Sequence, residues 1–104
     1  MIVRSAVLEG TVAEPDRVAF DRRMSGEVLA AIGTYPGIRA VKLRRIAEID
    51  DGAPPIYMVF DLYFDSLADM HAALASETRQ QVRQQIGAAM PLFRGRVYHV
   101  VYEE

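Results

Sequence analysis

Between a Pro54-Pro55 turn and Ser66 runs Ile56-Tyr57-Met58-Val59-Phe60-Asp61-Leu62-Tyr63-Phe64. This stretch is rich in β-branched and aromatic side chains and has no helical period, so it reads as a strand. Successive strand residues face opposite sides of a sheet. One side then carries Met58, Phe60, Leu62 and Phe64, all apolar, and can sit on helices. The other carries Tyr57, Val59, Asp61 and Tyr63, too apolar for open water and, at Asp61, too polar for an ordinary core. A strand of this kind belongs in the middle of a sheet, with a partner or a pocket against its second side.

The rest of the chain supplies the neighbours. Ile2 to Leu8 reads as a first strand, and Gly10 to Pro15 as a connection. Pro15 and Asp16 suit a helix start, after which Phe20, Met24, Val28 and Ile32 form an apolar stripe. That helix ends between Gly33 and Pro36. Ile38 to Ile46 is a second strand, alternating Val41 and Leu43 with Lys42 and Arg44, and the Asp50-Asp51-Gly52 turn leads into the third. Ser66 stands three residues before Asp69, a capping spacing, and Leu67, Met70 and Leu74 face a short helix inward. Ser76 to Ala89 reads as another helix, with Val82, Ile86 and Met90 inward and a Gln/Arg-rich outer side. Pro91 stops it, and Arg96 to Tyr102 is the last strand.

The order strand, helix, strand, strand, helical segment, strand predicts an α+β, ferredoxin-like βαββαβ sandwich: a four-stranded antiparallel sheet with helices on one face. The expected helix-covered face holds Met58, Phe60, Leu62, Phe64, Val41, Leu43, Val3 and Val7. The expected open face holds Tyr57, Val59, Tyr63, Ala6, Leu8, Tyr98 and Tyr102. A patch this rich in aromatics exceeds what a monomer leaves bare, so two sheets are expected to pack face to face in a homodimer with a barrel-like core.

Composition narrows the chemistry. The 104 residues suffice for one domain spanning 1–104. Twelve basic against fourteen acidic side chains give a net charge of −2, which favours neither nucleic acid nor an anionic membrane. No stretch is long enough to span a bilayer and no secretory leader is evident, so the expectation is a cytoplasmic protein. With no cysteine, disulfides, thiolate metal sites and cysteine nucleophiles are excluded. The chain also lacks tryptophan and asparagine and has only His71 and His99. No cofactor or metal motif appears.

Two residues are candidates for catalysis. His99, between Val97 and Val101, should point inward, either as a general acid or base or as a buried histidine satisfied by one hydrogen bond. Asp61 needs a partner in its apolar strand. Arg4 on the adjacent strand could pair with it, or the carboxylate could orient a substrate beside Tyr57 and Tyr63. Tyr57, Tyr63, Arg4 and Phe60 are the expected ligand contacts. His71 falls at a helix border, where a surface role is expected. Arg39, Lys42, Arg44 and Arg45 read as charges that protect an edge strand. An RNA-recognition sheet would need a glycine and paired aromatics on the third strand, and Asp61 stands where bases would stack.

Several junctions resemble those of a known group. Phe20-Asp21 in the first helix, Tyr35-Pro36-Gly37-Ile38 closing it, and Phe64-Asp65-Ser66-Leu67 entering the second helical segment are similar to the EthD family of the dimeric α/β-barrel superfamily. Ala72-Ala73-Leu74-Ala75-Ser76 and Met90-Pro91-Leu92-Phe93 extend the likeness over nearly the whole chain. The resemblance implies a small homodimer of small-molecule metabolism, with a pocket for a hydrophobic or phenolic ligand and an accessory role. It also allows a cofactor-independent monooxygenase or isomerase using His99 and Asp61, or a structural dimer with no ligand. The family's late-helix His-x-Pro-Leu motif is missing here: Glu27-Val28-Leu29-Ala30-Ala31 contains neither histidine nor proline.

Overall fold

The computed structural model describes residues 1–104. Its strands are β1 (Ile2–Val12), β2 (Ile38–Arg45), β3 (Ile56–Phe64) and β4 (Phe93–Glu103), arranged β2-β3-β1-β4 with every neighbouring pair antiparallel. Helices α1 (Arg17–Arg23), α2 (Leu29–Ile32), α3 (Leu67–Leu74) and α4 (Thr78–Ala89) cover one face. This is the ferredoxin-like α+β sandwich that the element order predicts. No helix is long and apolar enough to cross a membrane.

The helix stripe departs from a plain α-helix in an informative way. Phe20, Met24, Val28 and Ile32 are all buried, yet a strict four-residue spacing drifts by about 40° per step on a helix with 3.6 residues per turn. Three steps would carry Ile32 off the core. Between α1 and α2 the residues Met24–Val28 instead form a π-turn, whose wider winding absorbs the drift. All four side chains thereby stay on the sheet.

The first and last strands run further than the sequence suggests. β1 continues to Val12 and β4 begins at Phe93, pairing without interruption from Ile2 with Glu103 to Val12 with Phe93. Gly10 and Gly95 face each other in that ladder. A Cβ on Gly10 would lie 2.1 Å from the Arg94 carbonyl oxygen, and one on Gly95 would lie 2.1 Å from that of Glu9. Only glycine permits this approach, and what reads as a connecting loop becomes strand. Ser66 caps α3 as its spacing predicts, its hydroxyl accepting the Asp69 N–H at 3.1 Å.

Register corrects the expected faces of β1. Ala6 pairs with Phe60 and Leu8 with Met58, so Ala6 and Leu8 lie under the helices, with Ile2 and Arg4. Val3 and Val7 pair with Tyr63 and Val59 and lie on the open face. β1 is apolar on both sides, so its own pattern could not choose, and a one-residue slip exchanges the two faces. Tyr57 is corrected as well. The β1–β3 register jumps from Leu8–Met58 to Glu9–Ile56, a β-bulge that leaves Tyr57 unpaired and turns it toward the helices. There its ring meets Phe20 edge-on at 5.6 Å and Phe93 at 6.3 Å.

Candidate functional site: an apolar pocket with an arginine rim

The helix layer does not lie flat on the sheet. A cavity of about 340 Å³ opens between them, and twelve of its sixteen lining residues are hydrophobic. Its floor is Arg4, Ala6 and Leu8 of β1, Phe60 and Leu62 of β3, and Val97 and His99 of β4. Its roof combines Met24 from the π-turn, Ile32 of α2, Tyr35, Leu74 of α3, the Val82 and Ile86 side of α4, and Met90. The π-turn that keeps the stripe in register thus also sets one wall of the pocket. A volume of this size suits a small organic molecule.

The polar groups in the lining are Arg4, Arg79, Arg83, Tyr35 and His99, with no carboxylate among them. Burial depresses the pKa of Arg4, and the neighbouring Arg79 guanidinium lowers it further. Burial pushes the Tyr35 hydroxyl up, against the pull of Arg79, Arg4 and Arg83, so it stays protonated as a donor. His99 is exposed to solvent on the edge strand. Loss of water on its pocket side, then the charges of Arg4 and Arg79, nonetheless bring its pKa down to about 4. Near neutral pH the ring is uncharged, able to accept or donate a hydrogen bond but a weak base.

Asp61 sits on the opposite face of the sheet. It is 7% exposed and its partner across β1 is Ser5, so the expected pair with Arg4 does not form: Arg4 lies opposite Leu62 on the covered side. Instead the Ser5 hydroxyl donates to Asp61 Oδ1 at 2.5 Å, and Arg44 Nε donates to Oδ2 at 2.5 Å. Arg44 also donates to the Tyr63 hydroxyl at 3.2 Å, and Lys42 stands 5.0 Å from the Tyr63 ring centre. These bonds satisfy a carboxylate whose burial would otherwise be costly.

The six residues singled out by the sequence therefore occupy three places. Arg4, Phe60 and His99 come together in the pocket. Asp61 and Tyr63 share the open-face network with Arg44. Tyr57 stands apart at the bulge, where its hydroxyl donates to Asp21 Oδ1 at 2.7 Å, and burial with that bond pushes its pKa to about 12. His71 is exposed on α3. No three His, Asp or Glu side chains converge in a way that could hold a metal ion.

The groups that sequence reasoning missed are Arg79, Arg83 and Tyr35. A signal was present: Arg79, Val82, Arg83 and Ile86 follow the i, i+3, i+4, i+7 spacing of a single helix face. Assigning the arginines of α4 to its outer side overlooked that they share the inward stripe.

No protein-family model matches the chain, and no curated protein matches it. Solved structures do. An ethyl tert-butyl ether D (EthD) family protein from Bacillus halodurans is 22% identical, covers 100% of this chain and 99% of its own, and gives a TM-score of 0.74. A dimeric protein of unknown function with a ferredoxin-like fold from Bacteroides fragilis is 15% identical over 99% of this chain and 96% of its own, TM-score 0.68. SnoaB, a cofactor-independent oxygenase from Streptomyces nogalater, is 14% identical over 99% of this chain and 91% of its own, TM-score 0.64. Over its whole length the chain therefore shares the ferredoxin-like fold of these structures.

Proposed function

We propose that this protein binds a hydrophobic or phenolic small molecule in the pocket between sheet and helices, as an accessory component of small-molecule metabolism. The observation that carries this reading is the cavity of about 340 Å³ with a predominantly apolar lining. Deep apolar pockets with a few convergent polar groups are where small ligands bind. Two copies would pack through the open sheet face, where Val100 and Tyr102 are 38% and 49% exposed beside Val3, Val7 and Val59. The dimeric state of the Bacteroides fragilis neighbour supports that arrangement.

Titration with 2-naphthol tests the pocket. It should move NMR signals of Met24, Phe60 and Leu62, and Ala6→Phe, which fills the floor, should abolish the response. A wild-type protein that ignores the probe overturns the binding reading and leaves a structural dimer. Sedimentation at micromolar concentration that gives only the 11.6 kDa species removes the dimer.

A second reading is a cofactor-independent monooxygenase or isomerase. It is favoured by the neutral His99 at the pocket wall and by the oxygenase among the structural neighbours. In it His99 accepts a proton from the ligand. Asp61, expected to share that work, faces away from the pocket within one chain and is engaged by Ser5 and Arg44. Turnover of a quinol that His99→Ala abolishes would favour this reading, and turnover unaffected by the substitution would exclude His99 from it.

A further inference from the structure

We infer that the pocket is built for a hydrophobic organic monoanion, with Arg4 and Arg79 gripping a carboxylate or phenolate oxygen and the apolar floor taking the body of the molecule. This deepens the binding reading above and rests on it. The chain has more acids than bases, fourteen against twelve, so partners for arginine are not scarce. The ion pairs of the molecule are Arg39 with Asp65, Arg44 with Asp61 and Arg96 with Glu9. Arg4, Arg79 and Arg83 have none, although all three line the same cavity, and no acid lines it.

Unpaired guanidinium groups crowded beside apolar surface repel one another and lose solvation. Arg4 is the one that does so here, partly desolvated with the Arg79 charge beside it, and the Tyr35 hydroxyl feels all three arginines. A bound anion removes that repulsion, and the planar fork of arginine matches a carboxylate with two parallel hydrogen bonds. Tyr35 and the neutral His99 offer further donors. Phe60 and Leu62 hold the hydrocarbon part. A neutral ligand would leave the charges as they are, and a dianion would place a second charge against hydrocarbon.

Calorimetric titration with 2-naphthoate and with its neutral analogue 2-naphthamide, near neutral pH and at low salt, tests the assignment. Naphthoate should bind at least about tenfold tighter, since a charge-assisted pair replaces a neutral contact. Arg79→Gln should remove most of that advantage and leave naphthamide binding within about twofold. Arg4→Met provides the second variant. Bound naphthoate should also raise the His99 pKa in NMR titration, and naphthamide should not. Equal affinities for the two probes overturn the anion assignment while the apolar pocket stands. A naphthoate preference that survives both substitutions overturns the assigned head-group residues. Binding of neither probe overturns the pocket reading and this inference together.

Discussion

The two faces of the sheet pose the same physical problem and answer it differently. On the open face, Asp61 is buried among valines and tyrosines, and the chain closes the circuit itself with Ser5, Arg44 and Tyr63. Beneath the helices, Arg4 stands beside Arg79 and Arg83 in an apolar cavity with no acid in its lining. Charge neutralised from within reads as architecture, a lock on strand register or on a partner sheet. Charge left unneutralised reads as a site, because its compensation has to arrive from outside. Two ionisable clusters on opposite sides of β1, where Arg4 and Ser5 are neighbours, therefore carry opposite meanings. Burial alone would rank Asp61 first, and only the list of partners separates the two.

The contrast breaks most visibly at Asp61. Asp61→Asn keeps the shape but weakens the charge-assisted bonds from Arg44 and Ser5, and should lower the unfolding free energy by about 2 kcal/mol in chemical denaturation. Arg79→Met on the pocket side should stay within about 0.5 kcal/mol of wild type, since no internal partner is lost. A stability loss at Arg79 equal to that at Asp61 would show that the pocket charges are structural too. A smaller effect is expected at the bulge. Tyr57→Phe removes one hydrogen bond to Asp21 while keeping the ring against Phe20, and should cost about 1 kcal/mol.

These assignments were unevenly legible from the sequence. Element order, the α3 cap and the burial of Phe60, Leu62 and Phe64 follow from local patterns, because alternation and capping are properties of neighbours along the chain. Placing Val3 and Val7 under the helices failed because β1 is apolar on both sides and its register is set by β3 and β4. The position of Tyr57 depends on a bulge, and a period-two reading has no way to see one extra residue. The Arg4–Asp61 pairing failed for the same reason as the β1 faces: the two residues are on adjacent strands, but on opposite sides of them. His99 lies on the covered side with its flanking Val97 and Val101, although Tyr98, Val100 and Tyr102 make the other side of β4 apolar as well. The pocket itself could not be read, since it is a gap between layers. Its two α4 arginines, Arg79 and Arg83, could have been found from the spacing of that helix.

His99 gives the smallest effect and the sharpest reading of the covered face. Its pKa of about 4 lies below the free imidazole value of 6.5, so the unfolded chain takes up this proton before the folded one does. Stability is therefore unaffected by this residue above pH 6.5, falls as the pH drops from there toward about 4, and levels off below, where both states are protonated. The charged groups that act on the ring are Arg4, beside it on the sheet floor, and Arg79 of α4, with Arg83 and Tyr35 in the same lining. Carboxylates titrate in the same window, but they are common to wild type and His99→Gln and cancel in the difference between them. The variant should lose less stability than wild type between neutral pH and pH 5 in urea unfolding. In Arg79→Met, with one repelling charge gone, the imidazole signal should titrate closer to its free value. An imidazole that titrates near 6.5 in wild type would mean that the arginines do not act on it, and the difference between the two faces of the sheet would shrink to that between a paired carboxylate and a solvated rim.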